Sequence, residues 1–83
     1  MKTIVLTRSA AKDLDALPTT AREAGTEALH SYAMTGKGDV RKLADESLYR
    51  MRVGRYRVIF DEDQTTILAI RIGARQTTTY GKR

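Results

Sequence analysis

The stretch LYRMRVGRYRVIFDEDQTTILAIRIGAR, residues 48–75, decides how this chain is read. Taken two residues at a time, Tyr49, Met51 and Val53 share one side, followed by Tyr56, Val58 and Phe60 and then by Leu68, Ile70 and Ile72. Successive side chains of a strand point to opposite faces, so this alternation predicts three strands with a common apolar side. The same phase puts Arg50, Arg52, Arg57 and Arg71 on the other side, with Arg75 just past the last strand. One face builds a core and the other collects guanidinium groups. Val53, Gly54, Arg55 and Tyr56 read as a tight hairpin, and residues 61–66 as a second, acidic turn.

Upstream of this stretch the pattern changes. Residues 2–7 (KTIVLT) form a β-branched run suited to a first strand. Ser9 is placed to cap a first helix whose stripe is Leu14 and Leu17, and Pro18 stops it. Thr20 and Glu23 make a T-x-x-E capping box for a second helix to about Met34, with Ala21, Ala24, Ala28 and Tyr32 along one side. Gly36 and Gly38 end it, and residues 39–47 read as a connection with a short strand near Leu43. Two helices with one apolar stripe each must bury it against the sheet. The expected fold is α+β: one domain over residues 1–83, a two-layer arrangement in which a mainly four-stranded antiparallel sheet packs against an N-terminal helical hairpin.

The chain has 83 residues and a net charge of +5, and the charge is unevenly spread. Residues 1–48 carry seven bases and seven acids, whereas residues 49–83 carry eight bases and three acids. The whole excess therefore lies in the sheet half. Seven of those eight bases are arginine, whose planar fork binds phosphate bidentately and stacks on bases. A phosphate-bearing or acidic partner is the expectation, because guanidiniums gathered on one face repel one another unless an anion lies between them.

Other chemistries find little support. Without cysteine there is neither a disulfide framework nor a thiolate metal site. No apolar run approaches the roughly 20 residues needed to span a bilayer, which suits a cytoplasmic protein with no membrane association. His30, the sole histidine, falls mid-helix and reads as a partly exposed helical residue rather than a catalytic one. Gly36 and Gly38 lack the Lys-Ser/Thr that a phosphate-binding loop needs, and Asp61, Glu62 and Asp63 read as a solvated turn rather than a metal site. No metal or cofactor is expected.

The segment YRMRVGRYRVIFD, followed by an acidic turn, ILAIRIGAR and a nearby tyrosine, resembles the RelE/ParE superfamily of toxins from bacterial type II toxin–antitoxin systems. The likeness extends over most of the chain and is nearer to the RelE-like mRNA interferases. It implies the α+β fold and a cytoplasmic toxin silenced by a cognate antitoxin in a hetero-oligomer. It also implies one of two activities. RelE-like members enter the ribosomal A site and cleave mRNA, inhibiting translation; ParE-like members block DNA gyrase and are not nucleases. A third possibility is an antitoxin-binding relative without toxicity.

On the RelE-like reading the chain is an endoribonuclease in which the 2′-hydroxyl of the mRNA attacks the adjacent phosphate. The resemblance assigns Arg57, Arg75 and Tyr80 to catalysis and Arg50 and Arg52 to substrate RNA, and the neighbouring bases Arg55 and Arg71 are expected to bind the RNA with them. Arg57 and Arg75 would stabilise charge on the phosphorane, and Tyr80 would orient or deprotonate the nucleophile. A tyrosine is a poor base at its usual pKa of about 10, and adjacent guanidiniums favour its phenolate. Two positions depart from the pattern: Ala74 stands where many members carry His or Lys, and Thr77 near an acidic position of others.

Overall fold

The computed structural model describes residues 1–44 and 47–74. In chain order the elements are β1 (Thr3–Leu6), α1 (Arg8–Ala16), α2 (Thr19–Thr35), β2 (Val40–Lys42), β3 (Tyr49–Val53), β4 (Tyr56–Glu62) and β5 (Thr66–Ala74). The strands form one sheet in the order β1-β5-β4-β3-β2, with β1 parallel to β5 and every other pair antiparallel. The two-layer α+β architecture is the expected one. The sheet gains a fifth strand, since the short strand sought near Leu43 lies at Val40–Lys42 and completes the edge beside β3.

The helical boundaries differ from expectation for local reasons. The Thr7 hydroxyl, not Ser9, caps α1 by accepting from the Ala10 N–H at 3.0 Å. Leu17 then turns extended, at φ −76° and ψ 151°, as a residue before proline must to avoid the pyrrolidine ring. Pro18 itself opens α2: its carbonyl accepts the Arg22 N–H at 2.9 Å, and no side chain caps the helix. Thr20 consequently lies inside the helix, so the anticipated Thr20–Glu23 capping box does not form. At the far end Gly36 takes the left-handed conformation (φ 75°) and donates to the Tyr32 carbonyl at 2.8 Å.

The buried stripe of α2 is Gly25, Leu29 and Ala33, flanked by Ala28 and Tyr32. Ala24, expected on that stripe, is exposed. Leucine loses far more by exposure than alanine, so Leu29 sets the rotation of the helix and the alanines follow.

Hairpin β3–β4 has the anticipated two-residue turn. Val53 pairs with Tyr56, Gly54 has φ 60° and Arg55 keeps a negative φ, which is the type II′ arrangement that matches strand twist. The next connection is shorter than the acidic run suggested, because Asp61 and Glu62 extend β4. Only Asp63, Gln64 and Thr65 lie between the strands, and the Asp63 carboxylate accepts the N–H groups of Thr65 and Thr66, each at 2.8 Å.

The main correction concerns β5. Ile59 pairs with Arg71 but Phe60 pairs with Ala69, so Ile70 is an extra residue and a β-bulge interrupts the alternation. Ile67 and Ala69, together with Ile72, therefore reach the core, and Leu68 and Ile70 do not belong to it. Both strand phases are used in one strand. Phe60, wholly buried, is the centre of the core: Tyr32 meets it edge-on at 5.6 Å and Tyr49 stacks on it at 5.5 Å. Met51, Val58 and Ile67 pack in the same cluster.

One polar group closes this layer. Glu62 binds Lys2 through its Oε2 and accepts the Tyr32 hydroxyl on its Oε1 at 2.5 Å, joining β4, the residue before β1, and α2. Burial raises the carboxyl's pKa, but the hydrogen bonds from Lys2 and Tyr32 outweigh it and hold Glu62 below the usual range. The same burial, together with the Glu62 charge, pushes Tyr32 up to about 12.

Candidate anion-binding face of the sheet

With the helices on one face, strand pleating turns the arginines of β2–β5 to the other. Register then sorts them into rows. Arg41 pairs with Arg50, Arg50 with Ile59 and Ile59 with Arg71, so one row crosses β2, β3, β4 and β5. Arg52 pairs with Arg57 and Arg57 with Gly73, which makes the adjacent row. Cross-strand partners share a face with their Cβ atoms about 5 Å apart, so Arg52 and Arg57 are immediate neighbours. The bulge at Ile70 is what brings Arg71 into register here. Without that extra residue, Arg71 and Ile72 would exchange faces.

Arg50 and Arg57 are half-buried, and Arg41, Arg52 and Arg71 are exposed. A depression of about 320 Å³ is lined by Arg57, Ile59, Arg71, Ile72, Gly73 and Ala74. Gly73 carries no side chain into it. The opening thus lies between two guanidinium-bearing residues on neighbouring strands.

Two of these arginines meet carboxylates. Arg52 lies 3.3 Å from Asp39, and both side chains are about half exposed, a pairing that water and salt weaken to about 1 kcal/mol or less. Arg71 donates from Nε to Asp13 Oδ2 at 2.9 Å, and the same oxygen accepts the Ile72 backbone N–H at 2.9 Å. The reason for this contact lies in the sheet. Strand β1 ends at Leu6, opposite Ala69, and leaves the last residues of β5 with an open edge. Helix α1 covers that edge: the Thr7 hydroxyl donates to the Ile70 carbonyl at 2.9 Å, and Asp13 takes the Ile72 N–H. The hydrogen bond from Arg71, with that from Ile72, holds the Asp13 carboxyl below its ordinary range, and Asp13 in turn raises Arg71.

The residues expected to bind substrate are not all together. Arg50, Arg52, Arg57 and Arg71 share the sheet face, whereas Arg55 sits in the hairpin turn and lines a separate hollow with Pro18, Thr20, Ala21 and Ala24 at the start of α2. Arg75 and Tyr80 lie outside the described residues. His30 is exposed on α2, in the helical layer. Among the described residues no group of three His, Asp or Glu side chains could hold a metal ion, and no helix is long and apolar enough to cross a membrane.

Sequence reasoning overlooked three contributors to this face. Arg41 was legible, since Val40 and Arg41 alternate in an edge strand. Gly73 contributes by lacking a side chain, which alternation does not flag, and Asp13 is 58 residues from the arginine it binds, a pairing that no local pattern reveals.

Comparison with known proteins agrees with this architecture. A family profile described as the ParE toxin of the type II toxin–antitoxin system, parDE, matches residues 4–78. No curated protein matches the chain by sequence. Among solved structures, the toxin–antitoxin complex RelBE2 from Mycobacterium tuberculosis contains a similar chain, 26% identical with a TM-score of 0.78, covering 89% of this chain and 98% of that one. An arginine-substituted E. coli toxin RelE, bound to an antitoxin RelB peptide, is similar with a TM-score of 0.80 at 17% identity, covering 98% of this chain and 92% of that one. The YoeB dimer from Staphylococcus aureus has a TM-score of 0.74 at 18% identity, covering 90% of this chain and 98% of that one. At such identities the last two likenesses speak to the fold alone. Profile and fold together place this chain in the ParE toxin family of type II toxin–antitoxin systems, within the RelE/ParE superfamily.

Proposed function

We propose that this toxin is a ribosome-dependent mRNA interferase. The observation that carries the reading is that Arg50, Arg52, Arg57 and Arg71 share one sheet face, with an opening beside Gly73 lined by Arg57 and Arg71. In the proposed reaction a 2′-hydroxyl loses its proton and attacks the adjacent phosphorus. The bond to the 5′-oxygen then breaks, leaving a 2′,3′-cyclic phosphate, and the departing oxygen is protonated to a 5′-hydroxyl. Arg57 and Arg75 stabilise the charge that builds on the phosphorane, and Arg50 and Arg52 hold the scissile phosphate. Arg71 binds the RNA backbone beside them, and Arg55 contacts it from the turn. Tyr80 orients or deprotonates the nucleophile. Guanidiniums are suited to this work because strand register gathers their positive charge where negative charge develops.

The cytoplasm is the site of action on this reading, and a cognate antitoxin is the partner. An acidic segment covering the arginine face would neutralise the toxin directly, and an amphipathic helix laid along an apolar groove would do so by steric exclusion from the ribosome.

A second reading, inhibition of DNA gyrase without RNA cleavage, is favoured by the family profile, whose description names ParE. Primer extension on a message from translating ribosomes incubated with the purified toxin separates the two. Cuts within the A-site codon are expected. Intact message together with blocked gyrase supercoiling would establish the second reading instead, and the absence of both effects would leave an antitoxin-binding relative without toxicity.

A further inference from the structure

The Asp13–Arg71 contact is asymmetric. Asp13 is the enclosed member, with 19% of its side chain exposed against 65% for Arg71. Its Oδ2 is fixed from two directions, by the Ile72 N–H and by Arg71 Nε. Arg71 is engaged at Nε, and among the described residues neither of its Nη amino groups makes a hydrogen bond. A guanidinium held at Nε retains the paired Nη groups, one of the two donor forks that match the spacing of two phosphate oxygens. This residue also lines the opening shared with Arg57.

We propose that Asp13 is a positioning residue. It clamps Arg71 by Nε so that the Nη fork is preorganised for a backbone phosphate of the RNA in the opening beside Arg57. The inference rests on the RNA reading above and deepens it, by giving the helical layer a part in substrate binding. Its physical basis is entropic. A free arginine loses much of its rotamer freedom when it is immobilised on a ligand. A tethered one has already lost much of it when the protein folds.

The competing role is neutralisation, in which Asp13 only cancels the Arg71 charge, and the two roles predict opposite signs. Removing a negative charge from a basic face should strengthen RNA binding if Asp13 merely neutralises, and weaken it if Asp13 positions. Asp13→Asn is the suitable variant, because its amide oxygen can still accept the Ile72 N–H and keep the sheet edge closed, while the bond from Arg71 Nε to that same oxygen loses its ionic character. Binding of a short single-stranded RNA is measured by fluorescence anisotropy for the parent, Asp13→Asn, Arg71→Ala and the double variant. We expect Asp13→Asn to weaken binding about tenfold, the scale by which charge assistance strengthens a hydrogen bond, and to have no further effect in the Arg71→Ala background. Unchanged or tighter binding by Asp13→Asn, or an equal loss in both backgrounds, would overturn the proposal.

A second arm isolates Asp13 from the RNA reading. The parent and Asp13→Asn are titrated with inorganic phosphate while the Arg71 Nε–H resonance is followed by NMR. Perturbation at roughly tenfold lower phosphate in the parent is expected from the same hydrogen-bond scale. A parent that binds no RNA yet shows this difference refutes the RNA reading and keeps the clamp. A parent resonance that phosphate does not move refutes the clamp itself, and if Asp13→Asn does not fold, that parent titration alone decides.

Discussion

Arg57 faces Gly73 across the β4–β5 ladder, and the missing side chain at position 73 leaves the space beside the guanidinium. A Cβ built at Gly73 would meet no atom within 4 Å, so the backbone does not require glycine there. Glycine inside a strand forgoes β propensity, which spans about 1 kcal/mol. Gly73→Val is therefore expected to preserve or raise thermal stability while narrowing the opening. RNA binding should fall about tenfold, as for a lost charge-assisted hydrogen bond. A melting curve and an anisotropy titration on the same sample check both halves.

Arg57 is half-buried on the face opposite the core, so replacing it tests chemistry with little cost to the fold. Arg57→Ala should lower the cleavage rate about 100- to 1,000-fold, the usual effect of deleting one preorganised donor to a developing charge. Its unfolding midpoint should stay near that of the parent. The slope of log affinity against log salt should also shrink by about 0.7, the contribution of one phosphate contact on a single strand. Cleavage of A-site message at the parental rate by a folded Arg57→Ala protein would remove this residue from the catalytic assignment.

Phe60 has no exposed surface and is flanked by Tyr32 and Tyr49. Truncating it empties the middle of a small core. Phe60→Ala is expected to cost about 3–5 kcal/mol, enough to consume most of the stability of a domain this size. Urea unfolding of the two proteins measures the difference directly.

Asp13, Glu62 and Asp63 all hold their carboxyls below the ordinary range. Unfolding raises each of them back, so the unfolded chain binds more protons and stability declines in acid. The contribution is present above about pH 4, near the unfolded carboxylate values, and is lost as pH falls through the lower folded ones. The unfolding temperature should thus drop as pH falls below about 4. Glu62→Gln should show a shallower decline.

Tyr32 gives the alkaline counterpart. Its folded pKa is raised to about 12 by burial and by the Glu62 carboxylate, above the unfolded value of about 10. The folded state holds this proton more tightly, so the contribution is complete below about pH 10 and fades as pH rises towards about 12. The stability gap between the parent and Tyr32→Phe should narrow across that interval. Thermal melts at stepped alkaline pH would show it, and a constant gap would mean that Tyr32 titrates alike in both states.

How much of this was legible in residue order depends on the range of the forces involved. Alternation in β3 and β4 identified Met51, Val58 and Phe60 as core and Arg50, Arg52 and Arg57 as the opposite side. Gly54 marked the hairpin, and Gly36 the end of α2, because positive φ is a property of single residues. These features are set within a few residues of themselves. Tertiary structure decided the bulge at Ile70, the parallel seating of β1 on β5, the pairing of Arg57 with Gly73, and the clamp between Asp13 and Arg71. Each of those depends on which strand edge lies open and which apolar side chains can be buried together once distant segments meet. That is a balance of non-local burial and backbone hydrogen bonding, which residue order expresses only through the folded chain.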